Sequence, residues 1–159
     1  MSKKTGIPAD LVYGRWWFET GGFTNRGFTD LHNLSGIKNP GGKGYRDFRN
    51  LEDFANYESG QLEKNWPKAM GAQTPEALTA GLAEGKRGPW AESMATAEGR
   101  AAYTAGTQTG VNTYHLIYQM PITINTNDVD GAKEKLGPVI KDAGKDMVEQ
   151  IRGTQLGLR

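Results

Sequence analysis

The sequence predicts a mainly α-helical domain followed by a C-terminal appendage of one β-strand and one amphipathic helix. Three observations carry that reading. Apolar residues recur at helical spacing in the first hundred residues, as in Leu51, Phe54, Ala55 and Leu62. Strict alternation occurs once, over residues 113–125, where Tyr114, Leu116, Tyr118, Met120, Ile122 and Ile124 share a face. Val129, Ala132, Leu136, Val139, Ile140, Ala143, Met147 and Ile151 then return to three- and four-residue spacing. The expected division is a helical domain over 1–104, a linker over 105–112 and a strand-helix assembly module over 113–159.

Taken in order, Pro8 suits the first turn of a helix, where its missing N–H costs nothing. That helix should run over 8–19, with Leu11, Val12 and Trp16 on its apolar face, and end at Gly21-Gly22. Residues 24–44 are rich in glycine and proline without a sustained period, which predicts a loop anchored by Leu34 and Ile37. A short extended segment over 45–48 follows. Asn50, with Asp53 three residues on, caps a helix reaching about residue 64. Thr74, Pro75 and Glu76 open another, which carries Leu78 and Leu82 and closes at Gly85. Residues 88–93 form a turn before an alanine-rich helix to about Tyr103. The run TAGTQTGVN reads as a linker. Asp128 caps the last helix, which Gly137-Pro138 should kink. The strand over 113–125 has no equally clear partner in the chain, so self-association or pairing with another protein is expected there.

Composition narrows the function classes. With 19 basic and 18 acidic residues the formal charge is +1, which gives no electrostatic case for nucleic acid or an anionic membrane. The absence of cysteine excludes a disulfide framework and thiolate metal sites. His32 and His115 are the only imidazoles and lie far apart, so neither metal nor cofactor is expected. No apolar stretch is long enough to span a bilayer, and the N-terminus lacks the apolar core of a signal peptide. The PGGKG run lacks the spacing of a phosphate loop.

Chemistry concentrates in LVYGRWWFETGGF, residues 11–23. Glu19 falls in the last turn of an apolar helix among large rings, where the charged form of a carboxyl is disfavoured and its pKa rises toward that of a general acid. An acid at a helix C-terminus also opposes the macrodipole. Asp30, Asp47, Glu52, Asp53 and Glu92 are candidates for a second carboxylate, and spacing singles out none of them. Trp16 joins the apolar surroundings of Glu19 and is expected to contact substrate. Asn33 and Lys38 could hydrogen-bond acetamido or carboxylate groups, or Asn33 could shape its loop as an Asx-turn, and Tyr45 and Tyr57 could line a groove. His32 reads equally as structural or ligand-binding, and His115 as an exposed strand residue.

WWFETGGF, then HNLSGIK, then YRDFRNLEDFANYESGQL together resemble the glucosaminidase type of peptidoglycan hydrolase, family 73 of the glycoside hydrolases in the lysozyme-like superfamily. That family shows a helix ending in E-S/T-G, a loop with N-L-F-G-I-K and a tyrosine-bearing segment leading into a helix. The likeness covers about residues 7–92 and rests on the order and spacing of three motifs. It implies a lysozyme-like helical fold with a saccharide groove and Glu19 as the catalytic acid. Where the family has a Y-A-T-D-like segment this chain has Pro89-Trp90-Ala91-Glu92, so Trp90 would stack on a sugar or, equally, pack in the core, and Glu92 would position water. A lytic transglycosylase is a neighbouring possibility, although no G-L-M-Q-like segment follows Glu19. The alternating strand and final helix resemble the C-terminal end of phage tail tape-measure proteins. That resemblance implies an enzyme carried in the virion tail to the peptidoglycan, or, as the alternative, a non-catalytic tail protein retaining a lysozyme-like scaffold.

Overall fold

In the computed structural model, residues 1–119 are described and belong to one compact unit. They form six helices: α1 (Ser2–Thr5), α2 (Ala9–Glu19), α3 (Arg26–Leu31), α4 (Leu51–Asn65), α5 (Pro75–Ala83) and α6 (Ala97–Gln119). Two short 3₁₀ segments, Pro67–Ala69 and Glu92–Ala95, turn the chain between them. No sheet is present among the described residues; Lys38 and Tyr45 form an isolated antiparallel bridge. The chain is therefore mainly helical, as its spacing predicts.

Local chemistry explains most boundaries. Pro8 is the N-cap of α2. Asn50 and Thr74 cap α4 and α5 through side-chain oxygens that accept from the N–H groups of Asp53 and Ala77. Gly21 and Gly22 carry φ of 61° and 78° just beyond α2, the left-handed backbone that stops a helix. One helix escapes the sequence reading: α3 lies inside the expected loop, started by Asn25, which accepts from Phe28 N, and ended by His32 at φ 49°. Six residues are too few to show a period, so only the Asn25 cap marked it.

The largest departure is α6. It passes through residues 105–112, expected as a linker, and through 113–119, the first part of the expected strand. The remainder of that strand and the helix expected from Asp128 lie outside the described residues. Glycines suggested a break, but Gly106 and Gly110 are contact points with α2. A Cβ at Gly14 would lie 2.6 Å from Thr107 O, one at Gly110 would lie 2.5 Å from Gly14 O, and one at Gly106 would strike the Phe18 ring. The alternation over 113–119 yields to tertiary contact. Tyr114 packs its ring 5.2 Å from Tyr13, and His115 Nε2 lies 2.9 Å from Asp10 Oδ2, tying this end of α6 to the start of α2.

The main core gathers Ile7, Leu11 and Val12, Leu62, Leu78 and Leu82, Met94, Tyr103 and Val111. A smaller cluster of Leu34, Phe48 and Phe54 anchors the 32–48 loop. Trp16 packs against both and joins them. Because α2 and α6 touch through backbone, Gly14→Ala should destabilise by about 1–3 kcal/mol, the usual cost of overpacking a filled interface. Gly60→Ala, on an open face of α4 with nothing within 4 Å of the new carbon, should stabilise by roughly 0.5–1 kcal/mol. Thermal unfolding of the two variants reads both signs.

Candidate functional site

Glu19 is the last residue of α2, and its carboxyl meets two side chains from distant parts of the chain. Trp90 Nε1 donates to Glu19 Oε1 at 2.8 Å. The Tyr103 hydroxyl, 84 residues away, donates to the same oxygen. The close α2–α6 contact brings Tyr103 there, and the Phe18 ring meets it edge-on at 5.2 Å. Glu19 Oε2 accepts no hydrogen bond among the described residues, yet it is not one of the sealed, unpaired atoms, so it keeps contact with solvent.

Burial pushes the Glu19 carboxyl above the ordinary glutamate range, assisted by Glu58. The Arg15 charge and the hydrogen bonds from Tyr103 and Trp90 pull the other way, and burial outweighs them. Tyr103 is held well above its usual value by burial and by the Glu19 charge, so it remains a neutral donor. The result is a carboxyl with one oxygen fixed by two donors and the other open to carry a proton outward.

A second buried glutamate stands beside this group. Glu58 on α4 is fully buried; it forms an ion pair with Arg15 Nη2 at 2.7 Å and accepts hydrogen bonds from Trp16 Nε1 at 2.8 Å and from the Ser35 hydroxyl. Arg15, also buried, lays its guanidinium 5.1 Å from the Trp90 ring centre. Burial works against the Arg15 charge, but Glu58, then Tyr103 and Glu19, more than restore it, and the group is held above its usual value. Trp66 meets the Trp90 ring edge-on at 4.8 Å. Its own indole fits against Gly85, where a Cβ would lie 2.1 Å from its Nε1. A pocket of about 170 Å³ opens here, lined by Ser35, Gly36, Ile37, Gln61, Trp66 and Trp90. One wall thus belongs to the residue that holds Glu19 and another to a residue that holds Glu58.

The structure gathers some expected site residues and disperses others. Glu19 and Trp90 come together, and Trp90 also lines the pocket. Glu92 is exposed at the start of its 3₁₀ segment and makes no hydrogen bond to Glu19. Trp16 is a core residue whose indole N–H is spent on Glu58. Asn33 is buried, donating to the carbonyls of Ile37 and Arg46 and accepting from Ile37 N, so its amide ties the loop together. Lys38 is exposed on the loop bridge, and Tyr45 is exposed opposite it. Tyr57 packs on Phe48 beneath the Arg46 guanidinium, 4.2 Å from its ring centre.

Among the other carboxylates, Asp30 and Asp53 form surface pairs with Arg26 and Arg49, and Asp47 and Glu52 are exposed. His32 Nδ1 lies 2.9 Å from Phe48 O, which gives it a structural place in the loop. No group of three His, Asp or Glu side chains able to hold a metal occurs among the described residues.

Arg15, Glu58 and Tyr103 are the members that the sequence reading passed over. Their signal was a charged or polar residue on an apolar helical stripe: Glu58 lies four residues from both Phe54 and Leu62, and Arg15 four from Leu11. No protein-family model, curated protein or solved structure matches the chain.

The raised Glu19 carboxyl has a thermodynamic consequence. A proton held more tightly by the folded than by the unfolded chain stabilises fully below the ordinary glutamate pKa of 4.5, and that contribution fades as pH rises through the folded value. Glu19→Gln mimics the protonated form and still accepts from both donors. Its stability relative to wild type should therefore grow from about pH 4 upward and level off above the Glu19 titration. Urea unfolding across pH would show this; a constant difference would contradict it.

Proposed function

We propose that this protein is a glycosidase of peptidoglycan in which Glu19 is the general acid. The observation that carries this reading is the Glu19 carboxyl itself: half-buried, raised in pKa, fixed through Oε1 by Trp90 and Tyr103, and open at Oε2. Cleaving a glycosidic bond requires a proton at the leaving oxygen as the bond to the anomeric carbon breaks. A carboxylic acid that keeps its proton above the ordinary glutamate range, with one oxygen free to deliver it, suits that step. The resemblance of 7–92 to the family 73 glucosaminidases supplies the substrate class, and the two-tryptophan pocket offers apolar faces of the kind that sugars stack upon.

In this reading Oε2–H protonates the leaving oxygen while Tyr103 and Trp90 hold Oε1. The negative charge left on Glu19 is then met by those two donors and by the nearby Arg15. In hydrolysis, water bonds to the anomeric carbon and its proton returns to Glu19. In the transglycosylase variant a hydroxyl of the sugar takes the place of water. None of Asp30, Asp47, Glu52, Asp53 and Glu92 is bonded to Glu19, so the second half of the reaction is assigned to the substrate's own groups and to water. The virion tail remains the proposed location, on the tail resemblance of the C-terminal residues. No helix among the described residues is long and apolar enough to cross a membrane.

Purified cell walls should lose turbidity and gain new reducing ends with the wild type. Glu19→Gln should lower the rate by about 10²–10⁴-fold, the usual share of general acid catalysis. Trp90→Phe, which keeps a ring but removes the donor, should fall between them. Equal clearing by wild type and Glu19→Gln, or none by wild type, would favour the non-catalytic scaffold.

A further inference from the structure

Arg15 and Glu19 stand four residues apart on α2, the spacing at which oppositely charged side chains meet on a helix surface. Such a pair would hold Glu19 ionised. No ion pair joins them among the described residues; the guanidinium is instead turned to Glu58 at 2.7 Å and lies across the Trp90 ring. Arg15 nevertheless remains close enough for its charge to act on Glu19. Glu58 is in turn fixed from three directions, by Arg15 and Trp16 on α2 and by Ser35 on the loop that lines the pocket. Its oxygens are committed and the residue is fully buried, which removes it as a second catalytic carboxylate.

We propose that Glu58 is a positioning residue that diverts Arg15 from Glu19. It ties the guanidinium to α4 and across Trp90, so that the Glu19 carboxyl meets two neutral donors in place of a cation. A buried ion pair is weak evidence for stability, because desolvating two charges offsets their attraction, and such a pair is readily retained for what it specifies. Here it specifies the partner of Arg15. The groups facing Glu19 from the packed elements are Arg15 on α2, Glu58 on α4, Trp90 on the segment after α5 and Tyr103 on α6. Of these, only Arg15 is a cation.

The proposal rests on reading Glu19 as a proton donor, but its test follows the titration of Glu19 itself and does not need turnover. Carbon-detected NMR of the full chain, with the Glu19 carboxyl assigned by comparison with Glu19→Gln, gives the midpoint in each variant. In Glu58→Gln the released Arg15 should pair with Glu19 and lower that midpoint by about one pH unit or more, a tenfold change in proton affinity. Arg15→Met combined with Glu58→Gln removes both charges and should bring the midpoint back to the wild-type value or above it, since the Arg15 charge that lowers it outweighs the Glu58 charge that raises it. An unchanged midpoint in Glu58→Gln, or a midpoint in the double variant as low as in Glu58→Gln, would overturn the proposal. Should Glu58→Gln fail to fold, the double variant is compared with wild type alone. A midpoint there at or above the wild-type value supports the proposal, and a lowered one overturns it, because no cation is left beside Glu19 to lower it. Cell-wall clearing measured separately distinguishes failure of the enzymatic reading, which would leave these titrations standing.

Discussion

The close approach of α2 and α6 is the constraint on which the rest depends. Gly14 and Gly110 let two backbones touch where any side chain would hold them apart, and Gly106 makes room for the Phe18 ring. Glycine within a helix costs up to about 1 kcal/mol against alanine, and the close packing it permits offsets that cost. The contact places Tyr103 against the end of α2 and leaves Glu19 with its second donor. Further along, Tyr114 and His115 extend the same pairing to the start of α2. Without this contact the carboxyl would sit at a solvated helix end, where nothing would distinguish it from other surface glutamates.

The site then separates two glutamates by their surroundings. Glu58 is given a cation, an indole N–H and a hydroxyl, so its negative charge is compensated inside the core. Glu19 is given an indole N–H and a phenol, both on one oxygen, and burial dominates its protonation. Arg15 could have served either. The tryptophans divide along the same line, since Trp16 serves Glu58 while Trp90 serves Glu19 and rests between Arg15 and Trp66.

Much of the scaffold was legible because its signals are local. Pro8, Asn50 and Thr74 mark helix starts, Gly21-Gly22 marks a stop, and Leu78 with Leu82 marks a buried face. Glu19 was legible as an acid among rings at a helix end. What failed to show was set by tertiary contact. The glycines of α6 look like breaks until α2 is laid against them, and the alternation over 113–119 looks like a strand until Tyr13 and Asp10 hold it in a helix. Asn33 read equally as a ligand for sugar or as a shaper of its loop, and its amide is spent on the loop's own carbonyls. Glu58 and Arg15 were visible as charges on apolar stripes; their meeting across α2 and α4 was not, because 43 residues separate them in the chain.

The central claim is that Glu19 keeps its proton when ordinary glutamates have lost theirs. Infrared difference spectroscopy between wild type and Glu19→Gln, taken at a pH above the ordinary glutamate range, tests it directly. A proton retained on Glu19 gives a protonated-carboxyl carbonyl band in the wild type that is absent from Glu19→Gln and disappears as pH is raised further. A difference spectrum showing only carboxylate bands for Glu19 at that pH would contradict it.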